Sequence, residues 1–556
     1  MKTPTEVVQS LNKYIKREWK LAFLAAFVCG LLVHMPVLLS DIPNHDGLDS
    51  MYFDQNMITS GRWFLMVACG FTSYYTLPWL IGVLGMLWLA VTAVLLVELL
   101  EVKDKCCIVL ISGLLVTFPA LSSTFAYVFT MDGYLLGLML AVAAVLCVKK
   151  YRYGFLPGAV CLAFSLGTYQ AYLPFAVILS IYGILMFIMG DAGSGERGGA
   201  FLEKCKYALR YLYMGVLGLL SYYGILQFLL KIQGKELDTY QGINSLESSP
   251  LAGGLTSLLQ MILSMYRDFF AFSVKGNVVI NNGLSLIAVV ILLAVTLGMV
   301  LRVAVRGGWW KRIWFYILLL LLAVGLPIAT DLIFVISPGV TYHLLMRYQW
   351  VLYLILPVAF VSRYGAAKED GAVIRDGMIM HNGVVKHAGG DAGSVWALWG
   401  IAVAAVLLIG NYAVTDNIAY SNLMKRYEKT YAYCLRLVDR IEQTPGYYQG
   451  IPIAMIGVVG DESYPTTDIT QDVTSNMIGM NGDVLLYTGD NYEIFIRNFL
   501  GATLNILPTE VMEEIYYSES YREMDSFPGA NSVKLVDGVI YVKTENIDRT
   551  LDEEVK

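Results

Sequence analysis

Residues 21–40 read LAFLAAFVCGLLVHMPVLLS, and the loop that follows begins DIPNHDGLD at Asp41. The apolar run is long enough to cross a bilayer as a helix. Four carboxylates then lie in one loop at the membrane exit: Asp41, Asp46, Asp49 and Asp54. Because charge is costly near hydrocarbon, such a cluster indicates ligand binding or chemistry at that membrane surface.

The composition is that of a membrane protein rather than a soluble one. Of the 556 residues, 57% are hydrophobic and 15% are charged, whereas soluble proteins carry about 25% charged residues. Residues 1–20 are polar and basic, and the run after them lacks a small-residue cleavage motif, so we expect no cleavable signal peptide. The chain is therefore expected to stay in a lipid bilayer, with no nucleic-acid partner.

Hydropathy predicts eleven spanning helices. Basic residues are frequent in the N-terminal segment and in every second loop after it, and sparse in the other loops. The positive-inside rule therefore places the N-terminus in the cytoplasm and, with an odd number of spans, the C-terminus outside. The predicted spans are 21–40, 78–98, 106–122, 133–148, 155–170, 172–190, 211–230, 284–302, 313–336, 348–362 and 395–412.

This topology divides the chain into three parts. They are a cytoplasmic amphipathic helix (1–20), a transmembrane part (21–412) and an extracytoplasmic tail (413–556). The predicted outer loops of the transmembrane part are 41–77, 123–132, 231–283 and 337–347. Within that part, residues 255–272 are predicted to form an interfacial helix, and residues 363–394 a flexible cytoplasmic loop rich in glycine and charge.

The tail is strongly acidic and has the pattern of a folded α/β domain. Helical periodicity covers 417–443, a buried-type strand covers 451–459, and a short helix is predicted at 491–500. Two β-prone runs flank Asp537-Gly538, which is a strong hairpin signal. The fold class is thus a polytopic α-helical membrane protein with a C-terminal extracytoplasmic α/β domain.

The eight cysteines do not form the pattern of a disulfide framework. Only Cys69 and Cys434 are predicted to face outward, and a pairing of these two is left open. The sequence has no CxxC, HExxH or histidine cluster, so no structural metal is predicted.

The acidic loop is the first candidate site. Asp46 and Asp49 are three residues apart and would share a face of a helical turn, where Asn44 could orient one of them. A carboxylate so placed can accept the proton of an attacking hydroxyl. The alternative is that an outer loop is wet and its acidic residues are merely solvated.

Basic and polar residues near other membrane exits are further candidates. His343 and Arg347 are four apart before the tenth predicted span, and an arginine fork suits phosphate. Arg62, in the sequence Gly-Arg-Trp, has the same potential. For both arginines the alternative is a side chain that snorkels to the interface.

Three more polar residues lie at predicted outer ends of spans. Asp132 starts the fourth span, where it either contributes to the site or simply caps the helix. Tyr169 and Gln170 lie at a bend, where aromatic residues usually form the membrane belt, although Gln170 could hydrogen-bond a sugar.

A first outer loop that reads Asn-x-Asp-x-x-Asp, followed by Gly-Arg-Trp, resembles the GtrII-type glucosyltransferases of the GT-C class. Tyr169-Gln170, the late outer Arg347 and an outer tail with a hairpin add to the likeness. The family is bacterial, and the resemblance implies transfer of a hexose, typically glucose, from a polyprenyl-phosphate donor. The acceptor would be a cell-surface glycan or wall polymer at the outer face of the cytoplasmic membrane.

The resemblance also implies roles for individual residues. The catalytic carboxylate would be Asp46, with Asp49 second, and the lipid phosphate would bind Arg347, with Arg62 or His343. No cofactor is implied, although a divalent metal held by Asp46, Asp49 and Asp132 is left open.

Two other classes use similar substrates. A flippase or transporter of lipid-linked sugars usually has internal repeats and charges at mid-membrane, and neither is evident in this sequence. A lipid-linked polysaccharide polymerase or ligase would need a long glycan donor.

Overall fold

A computed structural model describes most of the chain. The described residues are 3–40, 42–190, 199–238, 254–275, 279–336, 341–365, 373–375, 378–381, 384–387, 392–457, 474, 477, 480, 486 and 489–544. The longer helices are Arg17–Leu38, Pro78–Leu100, Lys105–Thr117, Met131–Lys150, Phe155–Thr168, Leu173–Gly190, Gly199–Gln233, Gly254–Lys275, Gly283–Arg306, Ile313–Thr330, Leu352–Gly365 and Ala392–Glu442. Short helices include Pro4–Asn12, His45–Asp49, Leu65–Tyr74, Pro119–Phe125, Gly489–Phe495, Thr509–Tyr516 and Glu519–Arg522.

Within these residues, eight helices are long and apolar enough to cross a membrane. A ninth span is possible where Lys105–Thr117 and Pro119–Phe125 meet at a bend of 45°, since Pro119 cannot continue the first helix. The predicted spans 155–170 and 313–336 coincide with shorter apolar helices, Phe155–Thr168 and Phe315–Thr330. The chain is thus a polytopic membrane protein, and the count of eleven spans stays a prediction.

The helices in the first half of the bundle pack closely against one another. Arg17–Leu38 lies against both Pro78–Leu100 and Lys105–Thr117. Gly82 permits this contact, because a Cβ there would lie only 2.5 Å from Leu38 Cδ2. Small residues allow such close packing in membrane bundles. Because lipid tails are as apolar as the helices, the hydrophobic effect does not drive the helices together, and close packing does so instead.

Ion pairs gather at one end of the bundle. Glu98 accepts hydrogen bonds from the Nζ atoms of Lys16 (2.8 Å) and Lys150 (2.5 Å). Three residues along, Glu101 pairs with Lys149 at 2.9 Å and Arg363 at 2.8 Å. These cations come from three segments that the charge pattern assigns to a single membrane face, so the structure brings those segments to the same end. Which face this is stays a prediction.

Two predicted segments differ from the structure. The N-terminal helix covers only Pro4–Asn12, and the first long helix begins at Arg17. The flexible loop predicted at 363–394 contains a three-stranded antiparallel sheet, because Val373–Arg375, Met378–His381 and Val384–His387 pair in order. The predicted segment 255–272 is confirmed as a helix, Gly254–Lys275.

The tail is continuous with the membrane part. Ala392–Glu442 is one helix of 51 residues, so the boundary predicted at 412 lies inside it. A four-stranded sheet follows in the order Asn505–Ile506, Pro452–Ile456, Val539–Lys543, Val533–Val536. The predicted hairpin is confirmed: Val536 pairs with Val539, and Asp537 and Gly538 both have positive φ, as a type I′ turn requires. That the tail is a separate extracytoplasmic domain stays a prediction.

All eight cysteines are free thiols in the structure. Cys69 is buried beside Gly133 in the membrane part, and Cys434 is buried in the core of the tail. The open possibility of a disulfide between these two is therefore not realised.

Candidate active site

The acidic loop forms a single helical turn, His45–Asp49. Asn44 caps it, because its Oδ1 accepts a hydrogen bond from the Gly47 N–H at 2.8 Å, which satisfies one of the unpaired donors at a helix start. Asp46 and Asp49 lie three apart on this turn and both are exposed. The turn therefore presents two carboxylates, while Asp41 lies outside the described residues.

A small, mainly apolar cleft opens beside this turn. The acidic loop contributes part of its wall, and the start of helix Pro78–Leu100 and the segment before Met131 contribute the rest. The cleft offers two hydroxyl groups, those of Ser50 and Thr76, next to the turn that carries the two carboxylates. Its lining consists of Ile42, Pro43, Gly47, Ser50, Met51, Thr76, Pro78, Ile81, Ala126, Val128 and Phe129.

Arg62 lies over two stacked tyrosine rings. Tyr134 and Tyr169 stack with their ring centres 4.4 Å apart, and the Arg62 guanidinium lies 5.2 Å from the Tyr169 ring centre. Its Nη1 also donates to the Tyr134 hydroxyl at 3.1 Å. Tyr134 is within electrostatic reach of Asp46 as well. The structure thus brings Arg62, Tyr134 and Tyr169 into direct contact, with the Asp46 carboxylate within electrostatic range of the Tyr134 hydroxyl.

Gln170 supports the turn that carries Arg62. Its Nε2 donates to the Ser60 carbonyl and to the Tyr222 hydroxyl, both at 3.1 Å. Tyr222 in turn donates to the Gly61 carbonyl at 3.1 Å. Gln170 is buried, so its amide positions the protein's own backbone here, and sugar binding by this residue stays a prediction.

Replacing Gly61 by alanine is expected to destabilise the fold by about 2 kcal/mol. Gly61 has φ +77°, and a Cβ there would lie 2.6 Å from both Gln170 Nε2 and Tyr222 Oη. The left-handed backbone alone costs about 1–2 kcal/mol for alanine. The matched control is Gly501→Ala, with φ +73° and open space around its Cβ. Thermal unfolding in detergent should show a larger loss of stability for Gly61→Ala than for Gly501→Ala. Equal losses of stability would mean that the Gln170 side chain moves aside at little cost.

Asp132 lies in the first turn of helix Met131–Lys150, where its carboxylate is hydrogen-bonded within the protein; a role of this residue at the site stays a prediction. Its Oδ2 accepts a hydrogen bond from the Thr72 hydroxyl at 2.7 Å, and its Oδ1 accepts one from the Gly133 N–H at 3.0 Å. Among the described residues, no three His, Cys, Asp or Glu side chains lie close enough to hold a metal ion. A metal held by Asp132 with Asp46 and Asp49 therefore has no geometric support in this part of the chain.

Arg347 forms a salt bridge with a carboxylate that the sequence analysis did not identify. Its Nη1 and Nη2 donate to the two oxygens of Asp268, at 2.5 and 2.8 Å. Asp268 belongs to Gly254–Lys275, the predicted interfacial helix. Arg347 is buried, with its side chain 8% exposed. A buried arginine needs such a partner. Asp268 is the only acidic residue of helix Gly254–Lys275, but the sequence does not show that this helix packs against Arg347.

The surroundings of Arg347 are aromatic and polar. Its Nε donates to the Tyr342 carbonyl at 3.0 Å, and its guanidinium lies 4.0 Å from the Tyr342 ring centre. Burial, followed by the nearby Asp331 carboxylate, raises the pKa of Tyr342. The phenol therefore stays protonated and donates to the Thr330 carbonyl at 3.2 Å.

His343 and Arg347 do not share the face that helical spacing predicts. Leu344–Val351 consists of 3₁₀ turns that are separated by a kink at Arg347 (φ −102°, ψ 21°), and His343 precedes it in an extended conformation. Side chains three apart, not four, align on a 3₁₀ helix. The interpretation of His343 and Arg347 as a pair on one α-helical face is therefore wrong, and their joint binding of phosphate stays a prediction.

Comparison with known proteins identifies the family. The family model described as Glucosyl transferase GtrII matches residues 35–361, which is more than half of the chain. This range includes the acidic turn, Arg62 and Arg347, and ends before the tail. No curated protein and no solved structure shows a match. The chain belongs to the glucosyl transferase GtrII family.

Proposed function

We propose that the protein transfers a hexose, glucose in the first instance, from a polyprenyl-phosphate donor to a cell-surface glycan or wall polymer. The reaction takes place at the outer face of the cytoplasmic membrane. Membership of a glucosyl transferase family and the eight apolar helices support a membrane-embedded glycosyltransferase. The observation that carries the site is the cleft beside the turn on which the exposed Asp46 lies.

The chemistry needs a base at that cleft. A hydroxyl of the acceptor attacks the anomeric carbon, and the bond from that carbon to the phosphate oxygen breaks. The leaving polyprenyl phosphate keeps the electron pair, and a carboxylate takes the hydroxyl proton. Asp46 is the first candidate, because it is within electrostatic range of the Tyr134 hydroxyl, to which Arg62 donates a hydrogen bond. Asp49, which accepts a hydrogen bond from Asn491, is the second.

The departing phosphate needs a cation. Arg62 donates a hydrogen bond to Tyr134, which is within electrostatic range of Asp46, whereas the guanidinium of Arg347 is paired with Asp268. We therefore place Arg62 first as the phosphate ligand. Arg347, with His343, could act only after Asp268 releases it.

The donor class is tested with the purified chain in liposomes. Radiolabelled glucose is supplied as polyprenyl-phosphate glucose or as a nucleotide sugar, with membrane glycan as acceptor. We expect label in glycan from the lipid donor alone. Label from the nucleotide sugar would overturn the proposed donor, and movement of the labelled lipid across the bilayer without transfer would indicate a flippase.

A further inference from the structure

The core of the tail contains a residue of the acidic turn. Leu48 is fully buried, and it packs in one hydrophobic cluster with Tyr492 and Phe495 of the tail. Met51, just after the turn, packs against the same cluster. The side chain between the two exposed carboxylates therefore anchors the turn in the tail rather than in the membrane bundle.

A polar contact joins the same two elements. Asn491 Nδ2 donates to Asp49 Oδ1 at 2.5 Å. Asn491 belongs to helix Gly489–Phe495 and is 2% exposed. Nearby, Asn498 Nδ2 lies 3.5 Å from the Met51 sulfur. A single helical turn is unstable on its own, so contacts of this kind decide how it is oriented.

The long helix fixes the tail relative to the bundle. Tyr420 and Leu423 of Ala392–Glu442 pack in the core of the membrane part. Farther along the same helix, Leu437 and Ile441 pack in the core of the tail. Through this helix, the tail holds the acidic turn in a defined place over the cleft.

We propose that Asn491 is a positioning residue for glycosyl transfer: it binds Asp49 and so sets the orientation of the turn that carries Asp46. The tail then completes the active site, although it lies outside the residues that the family model matches. This inference rests on the proposed function, so transfer by the wild type from the lipid donor is established first; its absence would count against the function and not against the positioning role.

The first test compares Asn491→Ala with Asn505→Ala. Asn505 is a tail asparagine whose Nδ2 donates to the Gly450 carbonyl, away from the turn. Because a misplacement of about 1 Å can cost about 100-fold in rate, we expect Asn491→Ala to lower kcat by about 10- to 100-fold with an unchanged KM for the donor. Asn505→Ala should keep wild-type kinetics. Equal kcat in Asn491→Ala and wild type would overturn the proposal.

Hydrogen exchange supplies a readout that does not depend on activity. Backbone amides of residues 45–49 should exchange faster in Asn491→Ala than in wild type, while the amides of strand Val539–Lys543 keep their protection. Faster exchange throughout the tail would indicate a general loss of structure and would count against a specific positioning role.

The reciprocal double variant D49N/N491D separates positioning from catalysis. It restores a hydrogen bond between an amide and a carboxylate with the two groups exchanged. If Asp49 only transmits position, D49N should keep near-wild-type kcat, because its amide oxygen can still accept the hydrogen bond from Asn491 Nδ2. N491D places two carboxylates together, and the double variant should then recover at least about 10-fold in kcat over N491D alone. A large loss of kcat in D49N that the double variant does not recover would show that the Asp49 carboxylate itself is required, which would overturn positioning through this pair.

Discussion

Replacing Asp46 by asparagine is expected to lower kcat by about 1,000-fold while the protein still folds and inserts. The amide keeps the shape of the side chain but cannot accept the acceptor's proton, and general-base catalysis contributes about 10²–10⁴ in rate. Asp46 is exposed on its turn, so its replacement should leave thermal unfolding unchanged. The measurement is transfer of labelled glucose from the lipid donor at matched protein levels.

Asp54→Asn is the matched control, since it removes a carboxylate from the same loop. The Asp54 Oδ1 accepts a hydrogen bond from the Asn56 N–H at 3.1 Å, which the amide oxygen of asparagine can also accept. We expect this variant to keep near-wild-type transfer. Full transfer by both Asp46→Asn and Asp49→Asn would show that the base is not on the acidic turn.

Replacing Asp268 by alanine is expected to cost about 3 kcal/mol of folding stability. It leaves the buried Arg347 guanidinium without its bidentate partner, and breaking a buried pair from one side typically costs about 3–5 kcal/mol. The matched control is Glu493→Ala, which breaks an exposed pair with Arg497. That change should cost less than about 0.5 kcal/mol. Thermal unfolding in detergent measures both.

The double variant D268L/R347M decides whether the loss comes from the unpaired charge. Replacing a buried ion pair by apolar residues is often neutral, so we expect the double variant to be more stable than Asp268→Ala alone. A wild-type unfolding temperature for Asp268→Ala would show that Asp268 does not hold Arg347 in the folded protein.

Local patterns in the sequence predict much of this fold. Apolar runs predict helices because a backbone in lipid must satisfy its own hydrogen bonds. The Asp537-Gly538 hairpin is predictable because few residues tolerate two successive positive φ values. The cap by Asn44 is local in the same way, since donor and acceptor are three residues apart.

The pairs that organise the candidate site could not be predicted from local patterns. Arg347 and Asp268 are 79 residues apart, and Asp49 and Asn491 are 442 apart. Spacing along the chain says nothing about such contacts, which depend on how helices pack. The same holds for the 3₁₀ segment Leu344–Val351, where tertiary packing overrides the α-helical spacing of His343 and Arg347.

The uninterrupted helix Ala392–Glu442 couples the two halves of the chain rotationally. At about 1.5 Å per residue its 51 residues extend roughly 75 Å, more than twice the thickness of the hydrocarbon core. One residue inserted between Leu423 and Tyr433 would turn everything beyond it by about 100°. Asn491 would then face away from Asp49. The length of this stretch therefore sets the register between the tail and the acidic turn.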